Sequence, residues 1–176
     1  NVINAVNIMT DPFGFNLPMS KVSVSTAGHL PGLEKIVKKI PSIRLALSVH
    51  NGDSEKRSKI LPINKKWPIE SVLDAISRHQ EAGGNLVFIQ YTLIQGINDS
   101  PEDALSLVNL LNGIKVKVNL IPLNPVDKMR LQSSNNENIL EFQSVLHKKG
   151  IRTLIRYSKG QDIAAACGQL VNSKKN

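Results

Sequence analysis

A single cysteine, Cys167, stands among 176 residues. That count excludes an internal disulfide framework, and it excludes a metal site or cluster built on several thiolates of this chain. Such cysteine poverty suits a reducing, intracellular compartment. Aromatic residues make up only 4%, which argues against a base-stacking platform of the single-strand-binding kind. No apolar run is long enough to span a bilayer, and no signal peptide is recognisable. Nucleotide fingerprints are missing as well: there is no G-x-G-x-x-G and no Walker loop. No His, Asp and Glu set takes metal-ligand spacing, and no Ser-His-Asp arrangement can be argued. The first residue is Asn1, inside a helical pattern with no upstream cap. That opening reads as part of a longer protein or as a processed product.

What is present is enough for one domain with a core. Hydrophobic residues make up 41%, the level of a globular protein. The net charge is +8, from 22 basic and 14 acidic residues. The excess falls in groups such as Lys35-Lys38-Lys39, Lys56-Arg57-Lys59, Lys65-Lys66, Lys115-Lys117, Lys128-Arg130, Lys148-Lys149 and Lys174-Lys175. Basic faces concentrate polyanions, nucleic acid above all. A merely solvated lysine-rich surface has the same composition.

Five short segments rich in Val, Ile and Leu read as strands: Val22-Ser25, Arg44-Ser48, Leu86-Thr92, Val116-Ile121 and Arg152-Arg156. Runs such as Leu45-Ala46-Leu47 suit parallel strands covered on both faces. Helical patterns separate them. Pro31-Lys39 is short and basic. Ile69, Val72, Leu73 and Ile76 carry the i, i+3, i+4, i+7 spacing of an amphipathic helix, which Gly83-Gly84 stops. Ser100-Pro101-Glu102-Asp103 is a helix start with a cap, a proline at the first turn and acids at the positive end. Asn138-Lys149 buries Ile139, Phe142 and Leu146, and Gly150 ends it. Alternating β and α units give an α/β fold on a parallel sheet, barrel-like or doubly wound. Asn172-Asn176 reads as a frayed end.

Polar residues gather where these strands end. The first ends in Ser25-Thr26-Ala27-Gly28 and the second in Ser48-Val49-His50-Asn51-Gly52. The third carries Gln90 and Thr92. The fourth carries Asn119 and runs into Pro122-Leu123-Asn124-Pro125. In parallel α/β folds this edge binds ligands, so a polar small molecule along the rim is expected. The Ser25-Gly28 turn offers N–H groups to an anion. His50 is either a contact or a structural hydrogen-bonding group, and Asn124 either a pre-organised contact or a turn residue. Cys167, in Ala164-Ala165-Ala166-Cys167-Gly168, is either a small packing residue or a nucleophile in a tight loop.

Ser23-Val24-Ser25-Thr26-Ala27-Gly28, Leu45 through His50, Pro62-Ile63-Asn64-Lys65-Lys66, Asn119 through Pro125 and Asp162 through Leu170 occur in this order. Together they resemble the RlmN family, radical S-adenosylmethionine (SAM) methyltransferases acting on carbon 2 of adenosine in 23S rRNA and tRNA. The resemblance covers nearly the whole chain, and Ala166-Cys167-Gly168-Gln169-Leu170 is its most specific element. It implies that residues 1–176 are the C-terminal portion of a partial (β/α)6 radical SAM barrel, with a tail at about 151–172. It implies SAM contacts at Ser25, Ser48, Val49, His50 and Asn124. It makes Cys167 the thiol that is itself methylated before a radical formed from a second SAM, cleaved at a 4Fe-4S cluster, abstracts hydrogen from that methyl group. The carbon radical then adds to adenine C2, and a second cysteine releases the product by forming a disulfide. The partners implied are 23S rRNA, tRNA and an electron donor such as flavodoxin, in a cytoplasmic monomer, or in an organelle if the source is eukaryotic.

The sequence departs from that pattern in places. The family's C-x3-C-x2-C cluster loop, its Gly-Glu SAM motif, its resolving cysteine and its N-terminal accessory domain are not in these residues. Gln90 stands where an acidic residue is expected, and Asn51 where alanine is common. Two alternatives therefore accompany the main reading: a sister enzyme that methylates carbon 8, and a non-catalytic RNA-binding piece of a split or decayed gene. An ordinary SAM- or nucleotide-binding α/β protein is a third. One expectation is immediate. Reconstitution of this chain with iron and sulfide should give no thiolate-to-iron absorption band, and a stoichiometric cluster on it would sink the expectation.

Overall fold

In the computed structural model, residues 1–124 and 131–158 are described. Cys167, the rest of the tail beyond Ser158, and the basic pair Lys128-Arg130 lie outside them. Helix α1 (Val2–Thr10) and a short 3-10 turn (Met19–Lys21) lead into β1 (Ser23–Thr26). Then follow α2 (Leu30–Lys39), β2 (Arg44–Ser48), α3 (Ser54–Ile60), a 3-10 turn (Pro62–Lys65), α4 (Ile69–Glu81) and β3 (Val87–Leu93). The order continues with α5 (Pro101–Leu110), β4 (Val116–Pro122), α6 (Asn136–Lys148) and β5 (Thr153–Ile155).

The strands pair in the order β1-β2-β3-β4-β5, all parallel. Each right-handed crossover therefore moves one strand in the same direction and drops its helix on the same face. A doubly wound sheet would reverse direction and fill both faces, so the barrel-like alternative is the one realised. Strand β3 shows the result. Val87, Ile89, Tyr91 and Leu93 are buried, while Phe88, Gln90 and Thr92 between them are only half-buried. The buried set joins Leu45, Leu47, Val118 and Leu120 with Leu33, Ile36, Val72, Ile76, Leu107 and Phe142 of the helices in one core. Among the described residues the opposite face mixes Ser25, Arg44, Ser48, Gln90, Lys117 and Asn119 with Phe88, Ile121 and Leu154 and carries no helix of its own, unlike the second covered face that the Leu45-Ala46-Leu47 run suggests. Ala46 is small enough to be buried there without a helix above it.

Local chemistry sets the helix boundaries. The Ser100 side chain accepts from the Asp103 N–H (3.2 Å), and Asp103 Oδ2 accepts from the Ser100 N–H (3.3 Å), a reciprocal box behind Pro101. Asn135 caps α6 through the Asn138 N–H (2.8 Å). Helix α3 was not foreseen: Ser54–Ile60 has no apolar periodicity, and what starts it is Asp53, whose carboxylate accepts from the Lys56 N–H (2.8 Å). Lys56 then reaches α5 and pairs with buried Asp103 at 2.9 Å.

The loop between β2 and α3 lies hard against α5. A Cβ on Gly52 would fall 2.4 Å from the Leu107 nitrogen and 2.4 Å from the Ser106 carbonyl carbon. Those are backbone atoms in mid-helix and cannot swing aside. Gly52→Ala is expected to cost roughly 1–3 kcal/mol of stability, as overpacking does, read as a lowered urea midpoint. An unchanged midpoint would show that the loop can move off the helix.

Candidate functional site

Parallel strands end with main-chain carbonyls to which no neighbouring strand donates, and here a buried arginine donates to those that follow β1 and end β2. Arg57, on α3, is fully buried. Its Nη2 donates to the carbonyls of Ala27 (2.8 Å) and Ser48 (2.9 Å), and its Nε to that of Val49 (3.1 Å). Nη1 donates to Asn64 Oδ1, and the Asn64 amide nitrogen in turn donates to Ser54 and Ser58. No carboxylate forms an ion pair with Arg57 among the described residues. Burial accordingly lowers its pKa to about 10, opposed only by the more distant charge of Glu70, and the guanidinium stays charged at neutral pH. Composition had grouped Arg57 with the basic surface. The structure puts it inside.

The next link joins β2 to β3. His50 adopts a left-handed backbone (φ 58°), a geometry open to few residues besides glycine. Its Nδ1 accepts from the Thr92 N–H (2.9 Å). The Asn98 side chain completes the join: its Nδ2 donates to the carbonyls of His50 (2.6 Å) and Thr92 (2.8 Å), and its Oδ1 accepts from the Ile94 N–H (2.7 Å). The Tyr91 hydroxyl donates to the Asn98 carbonyl (2.9 Å). Burial first, and the charge of Arg57 second, lower the His50 pKa to about 4. The ring is therefore neutral at physiological pH. With Nδ1 accepting, its proton sits on Nε2, a donor for whatever occupies the rim.

The turn after β1 is tied internally. Thr26 Oγ1 accepts from the N–H groups of Gly28 (3.1 Å) and His29 (3.3 Å), and Gly28 holds a φ of 109° that a side chain would oppose. The Gly28 N–H is thus already engaged, which takes one donor away from the anion cradle expected at Ser25-Gly28. The Gly32 N–H, which also faces this turn, is taken by His29 Nδ1 (3.0 Å).

Of the residues singled out from the sequence, Ser25 lies exposed on the polar face of β1, and Ser48 ends β2 half-buried. Val49 is wholly buried, so its usable groups are main-chain: its N–H donates to the Gln90 carbonyl (3.0 Å) and its carbonyl accepts from Arg57. His50 follows it on the rim. Asn124 is buried two residues beyond β4. Cys167 lies outside the described residues. Arg57 and Asn98 were missed. The one signal for Asn98 was its place in a short Gly96-Ile97-Asn98-Asp99-Ser100 turn before a helix, and nothing local marks Arg57.

No family model matches the sequence. Curated proteins do, over nearly the whole chain. The dual-specificity RNA methyltransferase RlmN of Ruthia magnifica subsp. Calyptogena magnifica is 39% identical over 171 residues, 96% of this chain and 48% of that protein. The protein of the same name from Alcanivorax borkumensis is 37% identical over 178 residues, 99% of this chain and 46% of its own length. The chain thus spans about half the length of the curated relatives it matches. A crystal structure of a radical SAM methyltransferase from Sphaerobacter thermophilus superposes with a TM-score of 0.91 at 36% identity, over 96% of this chain and 49% of that one. A domain of a pyruvate-formate lyase-activating enzyme from Bacteroides vulgatus, 19% identical with a TM-score of 0.59 over 76% of this chain and 80% of its own, shares the fold.

Two outcomes test the rim. Arg57→Met strands three buried carbonyls and should cost about 3 kcal/mol or more in urea unfolding, whereas Arg57→Lys, which keeps donors but not the fork, should cost less. Equal and small losses would refute the clamp. For His50, the folded pKa lies below the unfolded value of 6.5, so acid favours the unfolded chain. Stability is full above pH 6.5 and falls, by up to about 3 kcal/mol, as the pH drops toward 4. His50→Asn, which tolerates the left-handed backbone but does not titrate, should flatten that part of the stability profile. A profile of unchanged slope would mean that His50 is not the titrating group.

Proposed function

Because the chain belongs to the RlmN family of radical SAM methyltransferases over about half their length, we propose that it forms the SAM-holding wall of an enzyme that methylates carbon 2 of adenosine in 23S rRNA and tRNA. The observation that carries this reading is positional. Ser25, Ser48, Val49 and His50 stand at the ends of two adjacent parallel strands, and Asn124 just beyond a third, all on the edge where such sheets bind ligands.

The groups present fit SAM. Its ribose hydroxyls and adenine edge need hydroxyls and amides, which Ser25, Ser48 and Asn124 bring. Its sulfonium carries positive charge, and a neutral His50 is compatible with it where an imidazolium would repel. When bound, SAM supplies the methyl group. Cys167, in the tail at about 151–172, is the thiol we assign as methyl carrier, and its neighbours in sequence, Ala164-Ala165-Ala166 and Gly168, are small. A carrier is needed because C2 of adenine is electron-poor and resists direct polar methyl transfer. The target base must leave its stack to reach the site, and the +8 charge favours RNA.

A 4Fe-4S cluster does not fit these residues. The sequence has one cysteine, and among the described residues no three His, Cys, Asp or Glu side chains gather to hold a metal. A non-catalytic RNA-binding role is the second reading, and the +8 charge suits it equally.

Titration calorimetry with SAM tests the wall. Binding should be seen, weaker by about tenfold in Ser25→Ala or Asn124→Ala through one lost hydrogen bond each, and unchanged in Cys167→Ala. No heat of binding would overturn the reading. The chain by itself should add no methyl group, so nucleosides from the rRNA and tRNA of cells that express it fused to the N-terminal half of the Alcanivorax borkumensis relative separate the activities. Added 2-methyladenosine supports the proposal, 8-methyladenosine assigns the sister chemistry, and neither, with RNA binding intact, favours the non-catalytic role.

A further inference from the structure

The polar face of the sheet carries more positive charge than the rim needs. Lys21, Arg44 and Arg156 line a trough of about 280 Å3 that runs up to Ser25 of the rim and also takes in Gln90 and Asn119. Arg44 also lines an adjoining hollow of about 140 Å3, this time with Lys117. No Asp or Glu lines either hollow. The two ion pairs among the described residues, Lys56–Asp103 and Arg78–Glu34, use none of these four cations.

Register shows that they share one face. Ser23 pairs with Arg44, Ala46 with Phe88, and Phe88 with Lys117, all one side of the pleat. Lys21, Arg44 and Lys117 sit at the N-terminal ends of β1, β2 and β4, the opposite end from the rim. Arg156 comes from beyond β5, and its Nε donates to Oδ1 of buried Asn119 (3.1 Å). That bond fixes the inner edge of the guanidinium and leaves its two terminal nitrogens without a protein acceptor among the described residues. Three cations face the trough and Lys117 faces the hollow beside it, with no carboxylate lining either; like charges gathered this way repel one another, which is a cost unless an anion is bound.

We propose that this floor is a phosphate-binding site and that its ligand is the backbone of a single RNA strand. The charge and the fork-shaped donors come from the geometry. Only the choice of RNA as the source of phosphate rests on the proposed function. A free nucleotide offers the same chemistry, so the test separates the two.

Fluorescence anisotropy of a labelled oligoadenylate RNA, titrated with the chain at several salt concentrations, is the measurement. Arg44→Gln and Lys117→Gln should each weaken binding by about tenfold, and each should flatten the plot of log affinity against log salt by about 0.7, the loss of one phosphate contact on a single strand. Arg44→Lys should keep the wild-type slope. Lys148→Gln, on the outer surface of α6, should change neither. Circular dichroism melts confirm that each variant is folded. Competition by 5′-AMP but not by adenosine shows that one phosphate suffices, and no competition by either, with the slope effects intact, assigns the floor to the strand. If Arg44→Gln and Lys117→Gln both match wild type in affinity and slope, the proposal is overturned. SAM titration of Arg44→Gln keeps the two claims apart. Failure of SAM to bind wild type would sink the methyltransferase reading alone, and loss of the salt effect with SAM binding intact would sink only the phosphate floor.

Discussion

Every strand of a parallel sheet ends by presenting carbonyls to a loop, and Arg57 is how this chain answers that constraint at β1 and β2. One guanidinium takes the carbonyls of Ala27, Ser48 and Val49 in a single plane. A lysine has the charge but not the flat fork that reaches three carbonyls from one side. Because the acceptors are dipoles and not a carboxylate, the charge is only partly offset, and its field extends to the neighbouring imidazole. His50 is kept neutral partly for that reason. The residue that closes the end of the sheet thus also sets the protonation state of the group beside the ligand edge.

The rim then reads as a relay of joins. Arg57 fastens β1 to β2, His50 with Asn98 fastens β2 to β3, and Leu123 continues to β4 through the Leu93 carbonyl (3.1 Å). Asp99 extends the chain of contacts to α6, accepting from the Gly96 N–H (2.8 Å) and from Asn138 Nδ2 (3.1 Å). A site assembled this way is rigid before any ligand arrives, which lowers the ordering cost of binding.

Much of this was legible in the sequence because local signals and global fold agree. Five apolar runs became five strands within a residue or two, and Ser100-Pro101 began a helix as its chemistry requires. The two-faced covering inferred from Leu45-Ala46-Leu47 failed because a short apolar run cannot report which side the crossovers take. Strand order decides that. Helix α3 failed because its stability comes from a cap and from one buried arginine, not from an apolar stripe. Arg57 and Asn98 were invisible for a related reason. Their partners lie up to 30 and 48 residues away in the chain, and a polar residue's burial is a property of the fold, not of its neighbours in sequence. The strand-end places of Ser25, Ser48, His50 and Asn124 were legible because polar residues that follow an apolar run have a local signature, whereas Val49 was singled out only by the resemblance.

The strand order has a bearing on how the molecule is made. Each new strand pairs only with the one before it, so no strand waits for a partner synthesised much later. The sheet can grow in the direction of translation, one βα unit at a time, each unit burying its helix on a surface already present. Loop-closure entropy is met in small instalments, which favours rapid folding for a parallel sheet. The polar inner face matters during that growth too. A half-built sheet shows water serines, glutamine, arginines and lysine around a few apolar side chains such as Phe88 and Ile121, and so has less reason to associate with its copies before the chain is finished.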